Sequence, residues 1–241
     1  MNILTFESEE NKSGLIRVND YRASHLKEVI KVKVGQEIKV GEVGGYLWVG
    51  AIEEIDTCGI RIRHKSVVTK PSILELDLIV ALPRPQTLKK ILELAGCFSV
   101  RSLSLIASEK VESSYFQSTA LSSKSMKKHL ILGLQQGVKT HLPKVRVERN
   151  FKETIGELCL NFTGNKLLAE KNTSKSFSQI HLQGSSSLLA IGPEGGWIQN
   201  ELDFFSEREF LRVNLSSSVL RVENAVCSAL SQFELIVGGN S

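Results

Sequence analysis

Short stretches of alternating apolar and polar residues dominate the start of the chain. Period-two runs closed by turn residues predict half-buried strands. They fall at 14–18 (Gly14-Leu15-Ile16-Arg17-Val18), 37–40, 47–52 and 59–63. Lys33-Val34-Gly35-Gln36 reads as a turn and Val43-Gly44-Gly45-Tyr46 as a hairpin connection. One helix interrupts the strands. Asp20 caps a segment from Tyr21 to about Lys31, with Leu26, Val29 and Ile30 as its apolar face. Short strands around a single helix predict a small β-barrel over residues 1–70.

Lys70-Pro71-Ser72 reads as a boundary, and the period changes after it. A strand is predicted at 73–82, broken by Pro83-Arg84-Pro85. Helical spacing follows from Thr87 to Ala95, with Leu88, Ile91, Leu92 and Ala95 on one face and Gly96 as its end. Val100–Ala107 is the next strand. Lys127–Gln136 is a second helix, with Leu130, Ile131 and Leu134 inward and Gly137 closing it. Further short strands are predicted at 158–160, 166–169, 188–191 and 210–215, and helices at 200–207 and 219–237. Alternating strands and helices predict an α/β domain on a mainly parallel sheet over residues 73–241.

At 241 residues the chain can bury roughly 70% of its unfolded surface, enough for a core without disulfides. No apolar run is long enough to span a bilayer. The start, Met1-Asn2-Ile3-Leu4-Thr5-Phe6-Glu7, lacks the basic region of a signal peptide. The four cysteines, Cys58, Cys97, Cys159 and Cys227, form no metal-ligand spacing. A reduced, cytoplasmic protein with no metal and no membrane partner is expected.

Charge is uneven. Residues 1–72 carry a net +1, residues 73–150 a net +6 and residues 151–241 a net −3. Between Lys124 and Arg149, seven Lys/Arg face only Glu148. Such a stretch reads either as a solvated helix face or as a surface that neutralises phosphates.

In open α/β sheets, ligands sit at the carboxyl ends of strands. Three strand ends qualify. The first is Ile191-Gly192-Pro193-Glu194-Gly195-Gly196-Trp197, a glycine-rich turn straight off a strand that matches neither GxGxxG nor a P-loop. Asn200 is placed to cap the helix behind it. The second is Leu215-Ser216-Ser217-Ser218-Val219-Leu220, with Arg221 and Glu223 near the start of the last helix, off its apolar stripe. The third is Leu168-Ala169-Glu170.

Together these residues resemble the RsmE-type enzymes, which methylate N3 of a uridine in small-subunit ribosomal RNA. They belong to the SPOUT, or α/β-knot, methyltransferases. Gly192-Pro193-Glu194-Gly195-Gly196-Trp197 with Glu201 is similar to the family's GPEGG-aromatic motif. Leu215, then Leu220-Arg221, Glu223 and Ala225, is similar to its LGxRILRxETA motif. Arg22-Ala23-Ser24-His25-Leu26 with Val29, Ile30 and Gly35 resembles the motif of its N-terminal PUA-like barrel. Leu82-Pro83-Arg84-Pro85 and the segment 108–115 resemble one branch of the family. The sequence departs from the pattern at Ser216-Ser217-Ser218, where Gly-Pro-Arg is usual, at Asn224 in place of Thr, at Ile198 in place of Ser, and at Leu134-Gln135-Gln136-Gly137 in the middle helix.

The resemblance implies a PUA-like barrel followed by a SPOUT trefoil-knot domain, the knot spanning roughly 165–241. It implies a homodimer with S-adenosylmethionine held by Leu168, Ala169, Ile191, Gly192, Pro193, Glu194, Gly195, Gly196, Leu215, Ser216, Ser217, Val219 and Leu220. Arg221 is expected to stabilise charge developing on the base or to fix a phosphate. Glu223 is expected to take the N3 proton or to orient Arg221. Arg17, Arg22, His25, Lys27, Lys31, Lys33, Lys127, Lys128 and Arg146 are expected to face RNA. Two alternatives stay open: a methyltransferase of another base or ribose specificity, and a non-catalytic ribosome-binding protein.

Overall fold

The computed structural model describes residues 2–182 and 186–238; Met1 and Ser241, the outer limits of the two expected domains, lie outside them. Its first sheet contains β1 (Leu4–Phe6), β2 (Asn11–Lys12), β3 (Leu15–Val18), β4 (Glu37–Glu42), β5 (Leu47–Asp56) and β6 (Gly59–Thr69). The order is β1-β4-β5-β6-β3-β2, parallel at β1/β4 and antiparallel elsewhere. Three register shifts between β5 and β6 bend the long hairpin. The result is a curled half-barrel.

Its concave side holds Phe6, Ile16, Val18, Val40, Ile52, Ile60 and Ile62, closed by Ala23 and Leu26. Asp20 does cap α1 (Tyr21–Ser24), accepting the Arg22 amide hydrogen at 2.9 Å. The helix then widens into π-type turns at His25–Ile30. Those turns carry Val29 and Ile30 off the apolar face, leaving Val29 66% exposed.

The second sheet is wholly parallel. It contains β7 (Leu74–Ala81), β8 (Val100–Ile106), β9 (Lys144–Glu148), β10 (Asn165–Ala169), β11 (Ser187–Ile191) and β12 (Leu211–Val213), in the order β12-β10-β11-β7-β8-β9. Five helices cover it: α2 (Pro85–Phe98), α3 (Ser123–Gly137), α4 (Phe151–Cys159), α5 (Gln199–Ser206) and α6 (Val222–Gly238). Alternation along β7 sends Leu76, Leu78 and Val80 to the face shared with α2 and α6. It sends Ile79 and Ala81 to the other face, with Ile155 of α4 and Phe205 of α5. The architecture is a parallel α/β sheet preceded by a half-barrel.

Several local expectations change. Leu158-Cys159 ends α4 and is not a strand. Asn150 caps that helix on the Glu153 amide, and Ile155 is buried by the sheet. The predicted basic helix face includes an edge strand, β9, whose Val145 and Val147 are obscured in sequence by flanking charges. Gly96 does not stop its helix, whereas α3 does end at Gly137; Ser99 and Val138 take the left-handed positions that follow the two helices. Glycines also serve contact. A Cβ on Gly96 would meet the Leu130 carbonyl oxygen at 2.2 Å, and one on Gly133 the Glu93 carbonyl oxygen at 2.0 Å. Helices α2 and α3 thus touch backbone to backbone.

The two sheets join through α3. Gln135, buried, donates from Nε2 to Thr5 Oγ1 at 2.9 Å, and its carbonyl accepts the amides of Asn2 and Ile3. Among the described residues no helix is long and apolar enough to cross a membrane.

Candidate active site

Parallel strands place all their carboxyl ends on one side. There, the loops after β7, β10, β11 and β12 surround a cleft of about 910 Å³, within the size range of small-molecule sites. Ala169, Ile191, Gly192, Pro193, Glu194, Gly195, Gly196, Leu215, Ser216, Val219 and Leu220 all line it, as do Arg221 and Glu223. Leu168 and Ser217 do not. Leu168 is fully buried in the sheet core below, and Ser217 points outward.

The glycine-rich loop is shaped by one left-handed residue and by close contact. Only Gly196 has positive φ, at 67°, and its amide closes the turn on the Pro193 carbonyl at 2.8 Å. Gly192 packs closely: a Cβ there would sit 3.0 Å from Nε1 of Trp197. Trp197 is buried among Phe151 and Phe205, with its Nε1 unpaired among the described residues. Asn200 lies inside α5, so the helix begins one residue earlier at Gln199. Glu201 serves its start instead, accepting the Ile198 amide at 3.0 Å.

Cations surround the mouth. Arg84 lies 3.9 Å from Glu194, and Lys110 Nζ donates to the Gly195 carbonyl at 2.6 Å. Lys171 Nζ donates to the carbonyls of Ser216 and Ser217. Arg221 is exposed at the lip. Glu223 is paired with Lys90 of α2, at 3.1 Å. Its carboxyl is held below the usual carboxylate range, first by its own backbone amide, against an upward push from burial, and then by the hydrogen bond and charge of Lys90 and the charge of Arg221.

The loop after β12 is closed by side chains. Asn214 Oδ1 accepts the Ser216 amide and Ser216 Oγ accepts the Ser218 amide, each at 3.1 Å. Gln232 of α6 donates to the Leu215 carbonyl at 3.1 Å. The amides of Glu194, Gly195, Val219 and Leu220 have no acceptor among the described residues. They are donors left for a ligand. Sequence reasoning did not place Arg84, Lys110, Lys171 or Asn214 in this cleft. Arg84 and Lys110 stood in recognised motifs, but no local signal tied them to the site.

The expected RNA-facing residues divide. Arg17, Lys31, Lys33 and Lys128 are exposed, with no ion partner among the described residues. Lys127 pairs with Glu7 at 2.8 Å and Lys27 donates to the Asp56 carbonyl. His25 is half-buried. Arg146 is also half-buried, its Nε donating to Ser104 Oγ at 2.8 Å. Arg22 does not face outward. Its guanidinium is buried between Glu10 and Asp20 and donates to the Thr5 carbonyl at 2.7 Å. A cation so enclosed holds the half-barrel together.

The chain is a half-barrel joined to a parallel α/β sheet, with a cleft walled by the sheet's carboxyl-end loops. The RNA methyltransferase domain family matches residues 70–234. The ribosomal RNA small subunit methyltransferase E of Treponema pallidum (strain Nichols) is 30% identical over 236 residues, covering 95% of this chain and 89% of that one. That of Borreliella burgdorferi, designated E 1, is 28% identical over 229 residues, covering 95% of both chains. A crystal structure of the Neisseria gonorrhoeae methyltransferase E bound to S-adenosyl methionine aligns with TM-score 0.79 at 19% identity, over 97% of this chain and 98% of that one. The chain belongs to the RNA methyltransferases, in the family of the ribosomal RNA small subunit methyltransferases E.

Proposed function

We propose that this protein methylates N3 of a uridine in small-subunit ribosomal RNA, acting on the ribosomal subunit and using S-adenosylmethionine. The observation that carries this reading is the cleft itself. Loops at the carboxyl ends of β7, β10, β11 and β12 enclose it, and an exposed arginine, Arg221, stands at its lip.

The residues fit the cofactor. Free amides at Glu194, Gly195, Val219 and Leu220 suit its polar groups, and Ile191, Leu215 and Leu220 supply apolar wall. When bound, S-adenosylmethionine supplies a methyl group made electrophilic by a sulfonium centre.

The chain's own part is to hold uracil N3 in line with that methyl carbon, at roughly 3–3.5 Å. Arg221 stabilises the negative charge that the uracil ring carries once the N3 proton has left. Glu223, ionised and tied to Lys90, suits charge placement at the helix start better than proton abstraction. The proton then passes to solvent at the open mouth. Exposed Arg17, Lys31 and Lys33 on the unit spanning 1–70, together with Lys128, bind phosphates along the RNA. The proposal includes a homodimer. Val219 at the cleft and Leu235 on α6 are apolar side chains 87% and 74% exposed in the single chain.

The test is to incubate purified protein with unmethylated small ribosomal subunits and S-adenosylmethionine, then identify nucleosides by mass spectrometry. New 3-methyluridine is the expected product. A different methylated nucleoside overturns the specificity. No methylation with cofactor bound overturns the substrate, and no cofactor binding overturns the reaction.

A further inference from the structure

We propose that Lys171 is a positioning residue that fixes the Leu215–Leu220 loop for the cofactor. The inference rests on the S-adenosylmethionine reading above. Lys171 follows β10 and lines the cleft from the loop after that strand. Its ammonium reaches across to the loop after β12, donating to the carbonyl of Ser216 at 2.9 Å and also to that of Ser217. Among the described residues no other side chain of the loop after β10 bonds the 215–220 backbone. The backbones are laced just below: the Asn214 amide donates to the Lys175 carbonyl at 2.8 Å, and the Phe177 amide to the Asn214 carbonyl at 3.0 Å.

The geometry gives the clamp a consequence. A peptide unit is planar and trans, so its carbonyl and its amide hydrogen point in opposite directions. Drawing two successive carbonyls onto Lys171 therefore turns the amides of Ser217 and Ser218 away from it. That of Ser218 is taken by Ser216 Oγ. The orientation of this stretch sets where the free amides of Val219 and Leu220 begin. Ser216-Ser217-Ser218 hold it without left-handed backbone, since none of the three is among the residues with positive φ. A glycine-containing loop is shaped by its own backbone freedom; here a cation from the neighbouring loop and two side-chain turns do that work.

The test compares wild type with Lys171→Met and Lys171→Arg. Hydrogen exchange in the free protein reads the loop without cofactor, and calorimetry reads S-adenosylmethionine affinity. Lys171→Met is expected to speed exchange of the bonded Ser216 and Ser218 amides about tenfold and to weaken S-adenosylmethionine binding about tenfold. KM for S-adenosylmethionine rises in step, kcat at saturation is little changed, and Lys171→Arg restores most of both. Unchanged exchange and affinity in Lys171→Met overturn the assignment, as does a rise confined to KM for RNA. Wild-type protein that binds no S-adenosylmethionine overturns the cofactor reading itself, whatever the exchange rates.

Discussion

The buried carboxylate of Glu201 accepts the amide hydrogen of Glu109, 92 residues earlier in the chain, at 2.9 Å. Its second oxygen takes the Ile198 amide of its own helix start. The group thus ties the glycine-rich loop to the segment that carries Lys110, which in turn holds the Gly195 carbonyl. Glu201→Ala leaves two amides unpaired at a buried site. A loss of about 1–3 kcal/mol in urea unfolding is expected, together with weaker cofactor binding. Glu201→Gln, which keeps one acceptor oxygen, should lose less on both measurements.

Arg221 stands exposed at the lip and forms no ion pair within 4.0 Å among the described residues, while Glu223 pairs with Lys90. Arg221→Ala is expected to lower single-turnover methylation by about 10²–10³-fold, with S-adenosylmethionine affinity preserved. Wild-type turnover in that variant would remove the arginine from the chemistry.

Arg22 gives the first sheet its pH dependence. Burial raises the Glu10 and Asp20 carboxyls, but hydrogen bonds and charge from Arg22 outweigh it, leaving both below their ordinary values of 4.5 and 3.8. Depressed acids contribute stability that is complete above those ordinary values and lost as pH falls through the folded ones. Arg22→Ala is expected to cost about 3–5 kcal/mol at neutral pH, since it leaves two part-buried charges unpaired. It should also flatten the stability profile below pH 4.5. Thermal unfolding across pH checks both, and a parallel acid limb in wild type and variant would contradict the account.

RNA affinity should fall steeply with salt. Lys31→Ala, Lys33→Ala and Lys128→Ala are each expected to lower the slope of log affinity against log salt by about 0.7 for a single-stranded contact. Filter binding at graded salt measures this; an unchanged slope would exclude the residue from the phosphate contacts.

Two glycines test the helix packing in opposite directions. A Cβ on Gly133 would overlap the backbone of α2, while one on Gly156 of α4 meets nothing within 4 Å. Gly133→Ala should destabilise by about 1–3 kcal/mol through overpacking. Gly156→Ala should stabilise by about 0.5–1 kcal/mol through lost chain entropy. Denaturant midpoints separate them.

Much of this molecule is local information. Period two along Leu74–Ala81 and helical spacing at Leu88, Ile91 and Leu92 are written into the chain, because burial acts on one face at a time. The strand-end loops were legible for the same reason: Gly192–Gly196 and Ser216–Ser218 interrupt apolar runs where a parallel sheet presents its carboxyl ends. What stayed hidden depends on partners distant in sequence. Gly96 looks like a helix stop until the backbone of α3 lies 2.2 Å from its missing Cβ. Arg22 reads as a surface cation until Glu10 closes over it. Lys171 is an ordinary lysine until the knot sheet sets β10 beside β12 and brings Ser216 within reach. Periodicity determined which faces are buried. Only the tertiary fold, by bringing separated backbones and charges into contact, decided which polar residues are consumed inside and which remain for the ligand.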